Sequence, residues 1–146
     1  MSILPGIYRI EAVLFDSEIP KRVLDLKNAS SLPDTIVRVF PNYGGSNQLW
    51  DVTPSDRIEG SYLFRAVAPP SYLYVSVNSL VGNPSKGTEF KLLKVEGPKT
   101  PDEFQIYIDI FETKVALQAP DNKEEPVTGA LLVPGDKRQI VRFVRV

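Results

Sequence analysis

Tyr8-Arg9-Ile10-Glu11-Ala12 places apolar residues on one face of an extended chain and charges on the other. Side chains of a strand alternate with period two, so the stretch reads as a half-buried β-strand. The opening recurs. An aromatic starts a strand at Tyr62-Leu63-Phe64 and again at Phe104-Gln105-Ile106. Each opening leads to a run ending near a proline turn: Val39-Phe40-Pro41-Asn42, Val81-Gly82-Asn83-Pro84 and Val133-Pro134-Gly135. Each unit closes on a strand with a bulky apolar residue near its start: Gln48-Leu49-Trp50, Glu89-Phe90 and Gln139-Ile140-Val141. A recurrence at ~40–50 residues marks a repeat architecture. Its repeated strands form the core and its unequal loops face outward.

Alternation continues elsewhere. Leu24 and Leu26 alternate with Asp25 and Lys27, Val37 and Val39 flank Arg38, and Leu73, Val75 and Val77 alternate with Tyr74 and Ser76. No long stretch carries the i, i+3, i+4, i+7 stripe of a helix, and 13 prolines and 9 glycines break the chain too often for one. The pattern predicts strands at 7–13, 22–27, 36–41, 48–53, 61–67, 72–77, 79–83, 88–95, 103–109, 113–119, 129–133 and 139–146. Three four-strand units predict an all-β, pseudo-threefold β-trefoil as a single domain over 1–146. Six strands would close a short barrel and six would form hairpins capping one end. Closure removes the exposed edges that promote aggregation. The first repeat is the longest, with its largest excursions near 14–21, 28–35 and 42–47. Function is expected on its loops.

The 146-residue chain has 17 basic and 18 acidic side chains and a formal net charge of −1. That balance gives no field to attract nucleic acid or an anionic membrane. No segment approaches the ~20 apolar residues of a membrane span. Cys and His are both absent. The chain therefore has no disulfide, thiolate nucleophile or Cys-based metal site, and it lacks the usual general base and the commonest metal ligand. No Asp/Glu pair stands out to replace them. A monomeric non-enzyme without metal or cofactor is expected. Met1-Ser2-Ile3-Leu4-Pro5-Gly6 lacks the basic and apolar regions of a secretory signal, so a cytoplasmic location is expected.

Four features compete as sites. Lys27-Asn28-Ala29-Ser30-Ser31-Leu32-Pro33-Asp34 is a loop of turn formers after the second strand, stiffened by Pro33. Arg57-Ile58 lies in Pro54-Ser55-Asp56-Arg57-Ile58-Glu59-Gly60, between the first two repeats, and displays the cation a trypsin-like protease accepts. A solvated charged turn is the plain alternative. Tyr72 and Tyr74 on one strand suit stacking on a sugar, or ordinary sheet packing. Gly44-Gly45 reads as a hairpin turn. It is not a phosphate loop, because no helix follows to present its N-terminus.

Gln48-Leu49-Trp50 matches the Gln-x-Trp of ricin-type lectin trefoils, where the Gln and Trp stabilise the core. Sugar binding in those lectins also needs an upstream Asp, an exposed aromatic and an Asn or Gln. Here the motif occurs once, and a core role is expected. The lead Ser2-Ile3-Leu4-Pro5-Gly6-Ile7-Tyr8-Arg9-Ile10 resembles the opening of mushroom β-trefoil protease inhibitors. Ser31-Leu32-Pro33 followed by Ile36-Val37, with Gln48-Leu49-Trp50, is similar to the cospin group, which acts on serine proteases without disulfides. That resemblance implies inhibition of a trypsin-like serine protease through Lys27, Asn28, Ala29, Ser30 and Ser31, with Asn28 central. Bottom-up chemistry favours a long cation for an S1 pocket that ends in an Asp, so Lys27 and Arg57 are the simpler contacts. Plant Kunitz inhibitors, also trefoils, use the loop at the position of Arg57. The mycocypin branch inhibits cysteine proteases and carries a Gly pair in the loop after the first strand. Here that loop is Leu14-Phe15-Asp16-Ser17-Glu18-Ile19-Pro20, without Gly.

Overall fold

A computed structural model describes residues 3–97 and 102–146. Met1 and Ser2, which begin the lead quoted above, lie outside the described residues. The strands are β1 (Gly6–Ala12), β2 (Arg22–Leu26), β3 (Thr35–Pro41), β4 (Trp50–Pro54), β5 (Tyr62–Ala66) and β6 (Ser71–Ser76). They continue as β7 (Ser79–Asn83), β8 (Lys91–Lys94), β9 (Glu103–Ile110), β10 (Thr113–Gln118), β11 (Thr128–Leu131) and β12 (Ile140–Arg145). Every predicted strand is present. Among the described residues the helical elements are single 3-10 turns, and no helix is long and apolar enough to cross a membrane.

Strand pairing closes a ring. β1 pairs with β4 and β12, β4 with β5, and β9 with β8 and β12. A bridge between Tyr62 and Phe90 joins β5 to the β8 side. The other six strands form the hairpins β2–β3, β6–β7 and β10–β11. Pairs from β7 to β3 and β11 knit these into one cap.

The recurrent residues meet where the ring closes. Tyr8 faces Trp50, Tyr62 faces Phe90, and Phe104 faces Val141. Phe143 lies 5.6 Å edge-on from both Tyr8 and Phe104, and 6.1 Å from Phe64. Trp50, Phe64 and Phe90 are fully buried. Burying a large apolar side chain contributes roughly 1.5–3 kcal/mol, so these rings dominate the core. The Trp50 indole N–H also donates to the Leu24 carbonyl at 3.1 Å, tying barrel to cap.

Gly44-Gly45 departs from expectation. It does not turn a hairpin, because β3 pairs with β2 and β7 while β4 pairs with β1 and β5. Gly44 has φ +79°, which favours glycine, and a Cβ on Gly45 would meet Asn47 and Tyr43 at 2.5 Å. The pair lets the chain cross from cap to barrel in close contact with its own side chains.

Candidate functional site

The first repeat builds a polar corner where the cap meets the barrel. Gln48 ends a 3-10 turn over Ser46–Gln48 and is fully buried. Its Nε2 donates to the Pro41 carbonyl at 3.0 Å and to Asp25 Oδ2 at 2.9 Å, while its Oε1 accepts from Tyr43 N at 3.1 Å. Arg38 Nε donates to Asp25 Oδ1 at 3.1 Å, and its guanidinium lies 3.8 Å from the Phe40 ring centre. Asn47 Nδ2 donates to the Leu26 carbonyl at 2.9 Å and accepts the Tyr43 hydroxyl proton on Oδ1 at 2.8 Å. Burial pushes the Asp25 carboxyl above its usual range, against hydrogen bonds from Gln48 and Arg38 that pull it back.

This corner assembles an Asp, an aromatic, an Asn and the Gln-x-Trp, the residue types a lectin site requires. They are not arranged to receive a sugar. Asp25 has no exposed surface, and both carboxylate oxygens already accept hydrogen bonds within the protein. Gln48 and Trp50 are core residues, as the sequence predicts. Asp25, Arg38, Phe40 and Asn47 were not singled out by sequence reasoning. The signal available for them was the Gln48 motif itself, whose side chain needs buried partners.

The loop after β2 is closely braced. Lys27–Ala29 make one 3-10 turn, with Ser30 N donating to the Lys27 carbonyl at 3.2 Å. Ser30 Oγ accepts from Leu32 N at 3.2 Å, Thr35 Oγ1 donates to the Leu32 carbonyl at 2.7 Å, and Asp34 N donates to the Gly82 carbonyl at 3.0 Å. Asn28, Ala29 and Ser31 are exposed, whereas Lys27 and Ser30 are half-buried. Asn28 (φ +56°) and Ala29 (φ +50°) are both left-handed. Asn tolerates that region and Ala does not do so readily. The apex is therefore a kink, whereas a protease cleft takes an extended strand.

The β4–β5 turn presents Arg57 differently. Its side chain is 84% exposed, the most open cation among the ion pairs of the described residues. Ser55 Oγ accepts from Arg57 N at 3.1 Å and Ile58 N at 3.3 Å, and donates to Glu89. Ser55 N donates to the Ser61 carbonyl at 2.8 Å, closing the base of the turn. Glu89 also lies 3.5 Å from the Arg57 guanidinium. A cleft of about 310 Å³ opens beside the turn, lined by Arg57, Tyr72, Lys86, Gly87 and Glu89. Tyr72 and Tyr74 are half-buried, with Arg65 and Lys86 over their respective rings at 6.0 and 5.1 Å.

The loop after β1 is tied down by charge. Arg142 on β12 reaches Asp16 at 2.7 Å, Glu103 at 2.6 Å and Glu11 at 3.0 Å. The Asp16 carboxyl is held below its usual range chiefly by the Arg142 hydrogen bond, and Arg142 is pushed up in turn. Among the described residues no cluster of acidic side chains is placed to hold a metal.

No profile of a known protein family matches the chain, and no curated protein sequence does. Solved structures align over nearly the whole of this chain. An agglutinin from Rhizoctonia solani aligns at 19% identity with a TM-score of 0.80, covering 100% of this chain and 99% of that one. The chain is a β-trefoil. A proteinase inhibitor from Coprinopsis cinerea aligns at 16% identity and TM-score 0.73, covering 99% of this chain and 100% of its own. A Macrolepiota procera ricin B-like lectin, solved with lactose, aligns at 18% identity and TM-score 0.71 over 100% of both chains. At these identities the likeness is one of fold, shared by mushroom inhibitors and lectins alike.

Proposed function

We propose that this trefoil is an inhibitor of trypsin-like serine proteases, acting as a single chain that blocks the enzyme's active site. The observation that carries the reading is Arg57, an exposed cation on a turn braced from behind by Ser55 and Glu89. The S1 pocket of trypsin ends in an Asp and selects a long cation. A turn held in place before binding loses little freedom on binding, which is how a standard interface reaches high affinity. The structural likeness to a Coprinopsis cinerea proteinase inhibitor fits this reading. The loop of Lys27, Asn28, Ala29, Ser30 and Ser31 is the second candidate contact. Its exposed apex suits it, and its left-handed backbone counts against a substrate-like fit.

Titration of trypsin with the protein tests the reading. Inhibition at equimolar, micromolar concentration is expected. Arg57→Ala should raise Ki on the order of 100-fold, the loss of a central anchor, while Asn28→Ala leaves it unchanged. The reverse pattern moves the contact to the loop after β2. Unimpaired trypsin in the presence of the wild-type protein rejects the proposal.

Carbohydrate binding is the second reading, favoured by the cleft in which Tyr72 is flanked by polar groups. It predicts glycan-array binding that Tyr72→Ala abolishes, with trypsin untouched. Inhibition of cysteine proteases through Leu14–Pro20 has less support, because Asp16 and Glu18 in that loop are engaged by Arg142 and Arg22.

A further inference from the structure

The β9–β10 hairpin ends in a two-residue turn, Phe111-Glu112, between the paired residues Ile110 and Thr113. Only the first turn residue has positive φ, the sign pattern of a type II′ turn, whose first position favours glycine. A Phe stands there at φ +57° and is 98% exposed. A bulky residue in this region is a genuine outlier and strains the backbone. The position thus combines backbone strain with an apolar ring left in water, and neither helps the isolated chain.

The base of this hairpin is held firmly. Asp109 receives Lys91 at 2.8 Å and Lys114 at 2.9 Å, and Lys114 lies 4.9 Å from the Tyr107 ring centre. Pairing of β8 with β9 sets Lys91 opposite Tyr107, and the bridge from neighbouring Phe90 to Tyr62 brings the start of β5 alongside. A shallow cleft of about 260 Å³ separates them, with Ile58 and Ser61 on one side and Ile108 and Asp109 on the other. Ile58 is 44% exposed and Ile110 46% exposed. Ile58 and Asp109, which line the cleft, are the chain neighbours of Arg57 and Ile110.

The geometry points to Phe111 as a second anchor for the protease, packing on apolar enzyme surface beside the S1 pocket that takes Arg57. This rests on the protease reading above. Protease–inhibitor interfaces bury about 800 Å² on each partner. A turn of residues 55–60 is too small to supply that area. The enzyme must therefore also close on surface next to the turn, and the end of β9 that leads to Phe111 lies across the cleft from Ile58. Its rigid base makes it a preorganised contact, and a buried aromatic is a typical interface anchor.

A matched control exists within the fold. Val77 sits at the first position of the β6–β7 turn, between paired Ser76 and Ser79, with φ +56° and complete exposure. It shares the conformation of Phe111 but belongs to the cap. Phe111→Asn and Val77→Asn both substitute a residue that accepts positive φ, so neither should reduce thermal stability. For trypsin, Phe111→Asn should raise Ki about tenfold, mainly through faster dissociation, with Val77→Asn within twofold of wild type. Hydrogen exchange at residues 109–114 should slow in the complex and be unchanged at 76–79. If wild type inhibits and Phe111→Asn does not alter Ki, this inference is overturned and the protease reading stands. An equal loss in both variants overturns it as well. If wild type fails to inhibit, both readings fall together.

Discussion

Gln48 and Gln139 occupy equivalent corners of the first and third repeats, and their environments differ in two respects. Each Oε1 accepts a backbone N–H two residues beyond the hairpin, from Tyr43 at 3.1 Å and from Val133 at 3.0 Å. Each Nε2 donates to the last hairpin carbonyl, Pro41 at 3.0 Å and Leu131 at 2.9 Å. Each Nε2 also donates to a side chain of the cap, the carboxylate of Asp25 in the first repeat and the amide oxygen of Gln118 in the third, and Gln139 Oε1 alone accepts a second side-chain bond, from Gln105 Nε2 at 3.0 Å. A neutral network therefore suffices to hold the corner. The Asp25–Arg38 pair is an addition to the scaffold, and a buried ion pair is weak evidence for stability in itself.

Removing half of that pair is the hardest way to break the comparison. Arg38→Met leaves Asp25 buried without its cation and should cost about 3–5 kcal/mol by urea unfolding. The double variant Asp25→Leu/Arg38→Met should recover to within about 1 kcal/mol of wild type, because Gln48 and Asn47 keep their carbonyl partners. Gln139→Ala should cost about 1–3 kcal/mol, and Gln48→Ala more, since it also strips a donor from a buried carboxylate.

Acid separates two carboxylates by sign. Asp25 is raised by burial, so as pH falls through its elevated pKa the folded state takes up protons first and this contribution favours folding. Asp16 is depressed below its ordinary value of 3.8, so its contribution is present above that value and is lost as pH falls below it. Asp16→Asn should flatten acid destabilisation by less than ~1 kcal/mol, the group being partly exposed, as measured by thermal melts between neutral and acid pH. The smallest effect belongs to the binding loops. Arg57→Ala and Asn28→Ala should shift stability by no more than about 0.5 kcal/mol, whatever they do to Ki.

The barrel was legible because its residues obey one rule each. Tyr8, Tyr62 and Phe104 face Trp50, Phe90 and Val141 across the closing pairs, and simple alternation finds them. The polar corner was not legible for the same reason. Alternation assigns Asp25 and Arg38 to an outward face, yet β2 is buried on both faces from Val23 to Leu26 because the Ser46–Gln48 turn lies over it. The Gly44-Gly45 misreading has a related origin. Two strands adjacent in sequence resemble a hairpin unless their partners are known, and these two belong to different layers. Arg57 was visible as a cation in a turn, but Ser55 and Glu89 as its supports required the β4–β5 turn to be set against the chain leading into β8.

The pairing of β1 with β12 joins residues 8–12 to residues 141–145. β1 thus leaves the ribosome long before the strand that completes its edge. Until then its edge is open, and the barrel cannot close on any shorter nascent chain. Contacts this distant in sequence slow folding, and an unpaired edge is a place for other chains to add. Joining the present ends and cutting elsewhere, for example between β8 and β9, would make these two strands neighbours in sequence and should speed closure of the ring.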